Sequence, residues 1–191
     1  MGHRTALAVF AASLSCAMPV QAEEAGQPLS FQSVLSETQG HWQGNMQYRE
    51  GQSDHWINVP AEMQISMAGD GVTLIRQLEY HRTPGSEAEY VTSLEMLDES
   101  QTGIAFTELR KGAEPTVARQ RISQGQLSDP YNWMYVYFID GTDGGRPVMK
   151  RVTVIRDEDT LASVTEVDFT DDGGTNWQHS SRTSFTRLAG D

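Results

Sequence analysis

The sequence predicts an all-β protein, an antiparallel up-and-down barrel of about ten strands with one short N-terminal helix. Three observations carry that expectation. From Gly40 to the C-terminus the apolar residues recur with a period of two, the mark of strands with one buried face. Turn residues interrupt the pattern at short intervals, as in AGDG, TPGSE, DESQ, KGAE, DGTDGG, DEDT and DDGG, and no helical stretch falls between them. So many strands on short links read as a meander, and closure removes the exposed edges that an open sheet would leave.

The elements follow in order. Residues 1–22, MGHRTALAVFAASLSCAMPVQA, read as an export signal. Arg4 stands near the start, a small-apolar run extends from Ala6 to Met18, and Val20 and Ala22 occupy the minus-three and minus-one positions of a cleavage site. Cleavage there leaves Glu23 as the first mature residue, in a periplasmic or secreted protein. The run is shorter than the roughly 20 residues that span a bilayer, and no later segment approaches that length, so an integral membrane protein is not expected. The single cysteine, Cys16, lies inside this segment. A lipidated Cys16 is the alternative, opposed by Ser13 where a leucine is expected. A mature chain without cysteine suits an oxidising compartment and relies on an ordinary core.

Residues 23–39 form a tail and a short helix, with Phe31, Val34 and Leu35 at helical spacing and Gly40 as the stop. Residues 40–191 form the barrel domain. Its strands are WQGNMQYR, WINVPAEMQISMA, VTLIRQLEYH, AEYVTSLEML and TGIAFTELR, then EPTVARQRIS, YNWMYVYFID, RPVMKRVTVIR, TLASVTEVDF and NWQHSSRTSFTRL.

The chain carries a net charge of −12, and loss of Arg4 with the leader makes it one unit more acidic. Such a surface repels nucleic acid and anionic lipid. The five histidines, at 3, 41, 55, 81 and 179, show no paired spacing, and no metal site is expected. DGTDGG and DFTDDGG lack the ligand spacing of a calcium loop and suit tight hairpins, where Gly supplies positive φ.

The first strand shows how the barrel closes. In WQGNMQYR, Trp42, Gly44, Met46 and Tyr48 share one face, while Gln43, Asn45, Gln47 and Arg49 share the other. The polar set faces solvent, so Trp42 points inward, and Gly44 beside it leaves room for the indole or for a close backbone approach. In the last strand Trp177, His179, Ser181, Thr183, Phe185 and Arg187 share a face. Antiparallel pairing of first and last strands brings Arg187 to Trp42, a cation–π contact worth about 0.5–2 kcal/mol.

GHWQG resembles the G-x-W signature of the calycins, the lipocalins, fatty-acid-binding proteins and their relatives. In that group a Trp on the first strand is covered by an Arg or Lys from the last. The resemblance implies a calycin-like barrel in which Gly40, Trp42 and Arg187 form the closure. GHWQGNM is also similar to the G-x-W-x-G-x-G start of the nitrobindins, ten-stranded haem proteins, with Met46 in place of the last glycine. EGQSDH is too short for the helix pair that fatty-acid-binding proteins carry after their first strand. The W-x-G-x-x-x-Y-R opening also resembles that of secreted proteobacterial proteins. By the nitrobindin resemblance, a haem would need a proximal histidine from a late strand, where His179 is the one available.

Candidate ligand-binding residues are polar groups in phase with apolar ones. Arg76 shares a face with Leu74, Leu78 and Tyr80, Glu108 with Ile104 and Phe106, Tyr90 with Leu94 and Met96, and Tyr48 with Trp42 and Met46. His179 continues the inward face of the last strand. A buried Arg or Glu needs a partner, so Arg76 and Glu108 either pair with each other, lie outside through a bulge, or contact a polar ligand. In YNWMYVYFID, Tyr131, Trp133, Tyr135, Tyr137 and Phe138 supply aromatic surface for a pocket wall or for the helix.

The function expected from these features is binding of a small apolar or amphipathic molecule inside the barrel, without catalysis and without a cofactor. Two alternatives come from other classes. One is a filled barrel whose acidic surface or aromatic strand docks a protein partner. The other is a haem protein or an enzyme built around Arg76, Glu108 or His179. Hollow and filled barrels share one interior pattern, so the sequence leaves the choice open.

Overall fold

A computed structural model describes residues 29–49, 55–83 and 85–190. The expected leader, with Val20, Ala22 and Glu23, lies outside these residues. The described residues form one short helix, α1 (Phe31–Ser36), and ten strands: β1 (Gly40–Arg49), β2 (Trp56–Met67), β3 (Thr73–Tyr80), β4 (Glu89–Leu97), β5 (Gly103–Arg110), β6 (Thr116–Asp129), β7 (Asn132–Asp143), β8 (Arg146–Asp157), β9 (Thr160–Phe169) and β10 (Gln178–Arg187). Each strand pairs antiparallel with the next, and β1 pairs with β10 to close the barrel. The expected all-β, ten-stranded up-and-down architecture with one short N-terminal helix is the one observed.

Closure sets Trp42 opposite Arg187, Gly44 opposite Phe185 and Tyr48 opposite Ser181. Gly44 is required by this seam. A Cβ there would lie 2.0 Å from the Ser184 carbonyl oxygen and 2.7 Å from the Phe185 Cα, so its place is taken by neighbouring backbone.

One end of the barrel is sealed by α1. Six residues are too few to hold a helix in isolation, and two things fix this one. Ser30 and Ser33 form a reciprocal capping box. Val34 and Leu35 are buried in the core, and Phe31 packs edge-on to Tyr135 with ring centres 5.8 Å apart. Gly125 makes room for that ring, since a Cβ there would lie 2.2 Å from the Phe31 Cζ.

Trp42 lies beneath the helix, fully buried, and its indole N–H donates to the Thr38 carbonyl at 2.9 Å. Two guanidinium groups approach it. Arg187 stands 5.8 Å from the ring centre and Arg156 5.5 Å. Both donate to the carbonyl of Glu37, the residue that caps the C-terminus of α1. Arg156 also donates to the Glu158 carbonyl and is held below its ordinary pKa, first by burial and then by the charge of Arg187. Gly40, Trp42 and Arg187 therefore meet at the closure, as the sequence suggested, and Arg156 is an additional member.

Candidate functional site

Above the seal the strands enclose a cavity of about 280 Å3, just under the roughly 300–1,000 Å3 usual for small-molecule sites. Its wall is mixed. Met46, Met63, Leu78, Phe106 and Phe185 supply apolar surface, while Arg76, Glu95, Glu108, Gln120, Tyr135 and Tyr137 project polar groups among them. A second hollow of about 290 Å3, lined in part by Tyr48, Tyr80, Arg110 and Arg182, shares Met46, Leu78 and Thr183 with the first. The two therefore adjoin, and the second leads toward the barrel end opposite α1.

The central polar feature is an ion pair. Arg76 lies opposite Ser93 across the β3–β4 ladder, and Glu95 is two residues further along the same face of β4. That diagonal is within reach of a long side chain, and the small Ser93 leaves space for it. Arg76 Nε stands 2.9 Å from Glu95 Oε1, but the carboxylate lies off the N–H direction, so this buried N–H has no aligned acceptor. Burial is the largest influence on the Arg76 pKa and pulls it down. The Glu95 charge, with Tyr135 and Tyr137 behind it, outweighs that and leaves the pKa above its ordinary value.

On the facing wall, Trp133, Tyr135 and Tyr137 stack along β7, with successive ring centres 5.7 Å and 5.8 Å apart. The inner face of this one strand both meets the helix, through Tyr135, and lines the cavity. Burial drives the pKa values of both tyrosines far above the ordinary range. The negative charge of Glu95 adds to the shift, and for Tyr137 so does its neighbour Tyr135. Both hydroxyls keep their protons at physiological pH and can donate as well as accept hydrogen bonds.

Toward the open end the polar groups form a chain. Arg110 Nε donates to Glu108 Oε1 at 2.8 Å, and Arg110 Nη1 donates to the Tyr80 hydroxyl at 3.3 Å. Tyr80 donates in turn to Glu89 at 2.9 Å, and Glu89 also pairs with Arg82. Arg110 has a raised pKa. Burial opposes the shift as the largest influence, and contact with Glu108 and Tyr80 overcomes it.

Arg76 and Glu108 thus both line the cavity, but they do not pair with each other. Arg76 pairs with Glu95 and Glu108 with Arg110. Tyr48 and Tyr80 sit at the mouth.

Two expected interior residues are outside. Tyr90 is 58% exposed, because Val91, Ser93 and Glu95 are the residues of β4 that turn inward. His179 is exposed as well. Ser181 faces Thr165, yet the next partners are His179 and Glu166, so β10 advances two residues where β9 advances one. This bulge reverses the alternation and turns His179 away from the cavity. Among the described residues no histidine lines the cavity, and a barrel haem ligated by His179 does not fit this arrangement.

Glu95 and Gln120 were missed as interior groups. Glu95 lies in the less apolar phase of its strand, and Gln120 in a strand that is polar on both faces. A usable signal existed for Glu95: the inward Arg76 needed a carboxylate on a neighbouring strand, and β4 supplies one.

No family model matches the chain, and no curated protein matches it. Among solved structures it is similar to Rv2717c from M. tuberculosis, with a TM-score of 0.60 and 11% identity, over 84% of this chain and 99% of that one. A protein of unknown function from the DUF3598 family of Nostoc punctiforme matches at a TM-score of 0.23 and 10% identity, over 84% of this chain and 100% of that one. The likeness to Rv2717c is one of fold.

Proposed function

We propose that this protein is an exported, calycin-like barrel that holds a small amphipathic molecule in its interior and performs no chemistry on it. The observation that carries the reading is the mixed lining of a cavity of about 280 Å3 inside the barrel. Apolar walls with a few placed polar groups are the usual composition of a ligand site. The sealed end at Trp42 and the adjoining hollow at Tyr48 and Tyr80 give the cavity one natural entrance. Both carboxylates that line it are engaged by arginines, which suits a binding site better than a general base. Export is inferred from the leader pattern of residues 1–22 and the calycin relationship from Gly40, Trp42 and Arg187.

The test is displacement of a fluorescent apolar probe from the protein, together with mass spectrometry of small molecules that co-purify with it. Saturable binding at one site per chain supports the reading. Ser93→Phe, which projects a ring into the cavity, should abolish that binding in a folded protein. Saturable binding unchanged in Ser93→Phe, or absent from the folded wild type, overturns it.

A second reading, a protein-interaction module, is favoured by one observation. Tyr90, Met96, Leu109 and Val117 are exposed on the outer faces of adjacent strands β4, β5 and β6. Solution light scattering with Tyr90→Ser and Val117→Ser variants would reveal self-association through that face.

A further inference from the structure

We infer that the cavity selects an uncharged ligand, one whose polar end is a hydroxyl, carbonyl or amide rather than a carboxylate or an ammonium group. The inference rests on the cavity reading above and names the ligand class it implies.

Three charged side chains line the cavity among the described residues: Arg76, Glu95 and Glu108. Each already has a counter-charge in contact. Arg76 and Glu95 neutralise one another at 2.9 Å with 15% and 12% of their side chains accessible. Glu108 is neutralised by Arg110 at 2.8 Å, and these two are 25% and 46% accessible. The inner polar set is therefore balanced, two cations against two anions, before any ligand arrives.

A ligand carboxylate would lose its hydration and find the charge of Arg76 already neutralised by Glu95, although the Arg76 Nε–H itself lacks an aligned acceptor. To reach the guanidinium it would have to share it with a second anion. A ligand ammonium would meet the same obstacle at Glu108, where Arg110 already stands. Burying a charge without a free partner is expensive, whereas an uncharged polar head pays no such penalty. The Tyr135 and Tyr137 hydroxyls, both kept protonated, together with Gln120 and Ser93, offer neutral donors and acceptors along the same wall.

The experiment measures binding of octanol, octanoate and octylamine at pH 7 by isothermal titration calorimetry, three eight-carbon probes with different head groups. Octanol is expected to bind at least about tenfold more tightly than either ion. Glu95→Gln frees Arg76, so octanoate should gain about tenfold or more relative to octanol. Arg110→Met frees Glu108 near the mouth, where a fold defect is less expected, and should raise octylamine binding in the same way. If octanoate or octylamine binds wild-type protein as tightly as octanol, the cavity reading stands and the charge inference falls. The inference also falls if a folded Glu95→Gln or Arg110→Met protein shows no shift in ion preference. If none of the three probes binds the folded wild type, both readings fall together.

Discussion

Arg187 and Trp42 face one another across the β1–β10 seam, with the guanidinium carbon 5.8 Å from the centre of the indole. Trp42→Ala should destabilise the protein by about 3–5 kcal/mol, the range for a buried aromatic. Arg187→Ala should cost less, and the double variant should be non-additive, as residues in contact normally are. Urea denaturation measures all three, and additive effects would mean that the contact contributes nothing. Arg156→Ala should cost more than Arg187→Ala, about 2–4 kcal/mol, because it leaves a void and strips the Glu37 and Glu158 carbonyls of a donor.

Inside the cavity, Arg76→Met leaves Glu95 as a buried carboxylate without its partner. The expected loss is about 3–5 kcal/mol. Replacing both residues, Arg76→Met with Glu95→Leu, should recover much of it, because an apolar pair of similar volume carries no desolvation penalty. A double variant no more stable than the single one would show that the ion pair is not the reason for the loss.

Two glycines make a contrast. At Gly44 an added methyl group meets the β10 backbone, and at Gly125 it meets the rim of the Phe31 ring. Backbone in a closed sheet cannot move aside, while a ring can tilt. Gly44→Ala should therefore cost more than Gly125→Ala, with overpacking in the core usually worth about 1–3 kcal/mol. Phe31→Ala combined with Gly125→Ala should show less than the sum of the two separate losses. Thermal or urea unfolding decides, and equal costs at the two glycines would count against the close seam.

Acid should weaken the fold. Asp70 is held below its ordinary pKa first by the Val72 N–H, Glu89 by Arg82, Asp98 by the Ser100 hydroxyl, Asp129 by the Asn132 side chain and Asp171 by Arg146. Each binds a proton less tightly folded than unfolded, so its contribution is complete above the unfolded pKa of about 4. That contribution is lost as the pH falls through the depressed folded value. Unfolding free energies measured from pH 6 down to pH 2 should decline below about pH 4, more gently in Asp129→Asn. A rise in stability on acidification would contradict the assignment.

Tyr90→Ala and His179→Ala should leave probe binding unchanged and alter stability by no more than about 0.5 kcal/mol, as is usual for surface changes. A tenfold loss of probe binding in either would place that side chain back in the cavity.

These two residues show where the sequence was legible and where it was not. Strand existence, strand order and the Trp42–Arg187 pairing could all be read, because alternation and short turns leave few other ways to fold. Orientation failed on β4 because its two faces compete. Tyr90, Leu94 and Met96 form the more apolar set, yet the inward set is Val91, Ser93 and Glu95. A periodicity argument assigns the apolar face to the interior, and here the interior needed a carboxylate for Arg76. On β10 the alternation is sound from Ser181 to Arg187 and fails only beyond the bulge. A single extra residue leaves no mark in composition. Arg156 was hidden for a related reason, since β8 alternates apolar residues on both faces near its end, with Ile155 exposed and Arg156 buried.

The pairing of the first strand with the last has a consequence for how the molecule is made. A chain elongated only as far as β9 has two bare edges, one on β1 and one on β9, each with unpaired backbone groups that invite another chain. Neither edge is covered until β10 exists, and Arg187 reaches the Glu37 carbonyl 150 positions before it. Contacts so distant along the chain form slowly. Every nascent copy therefore passes through a sticky interval that ends only when β10 has been made, and a stop codon placed before β10 should yield aggregate rather than a smaller barrel.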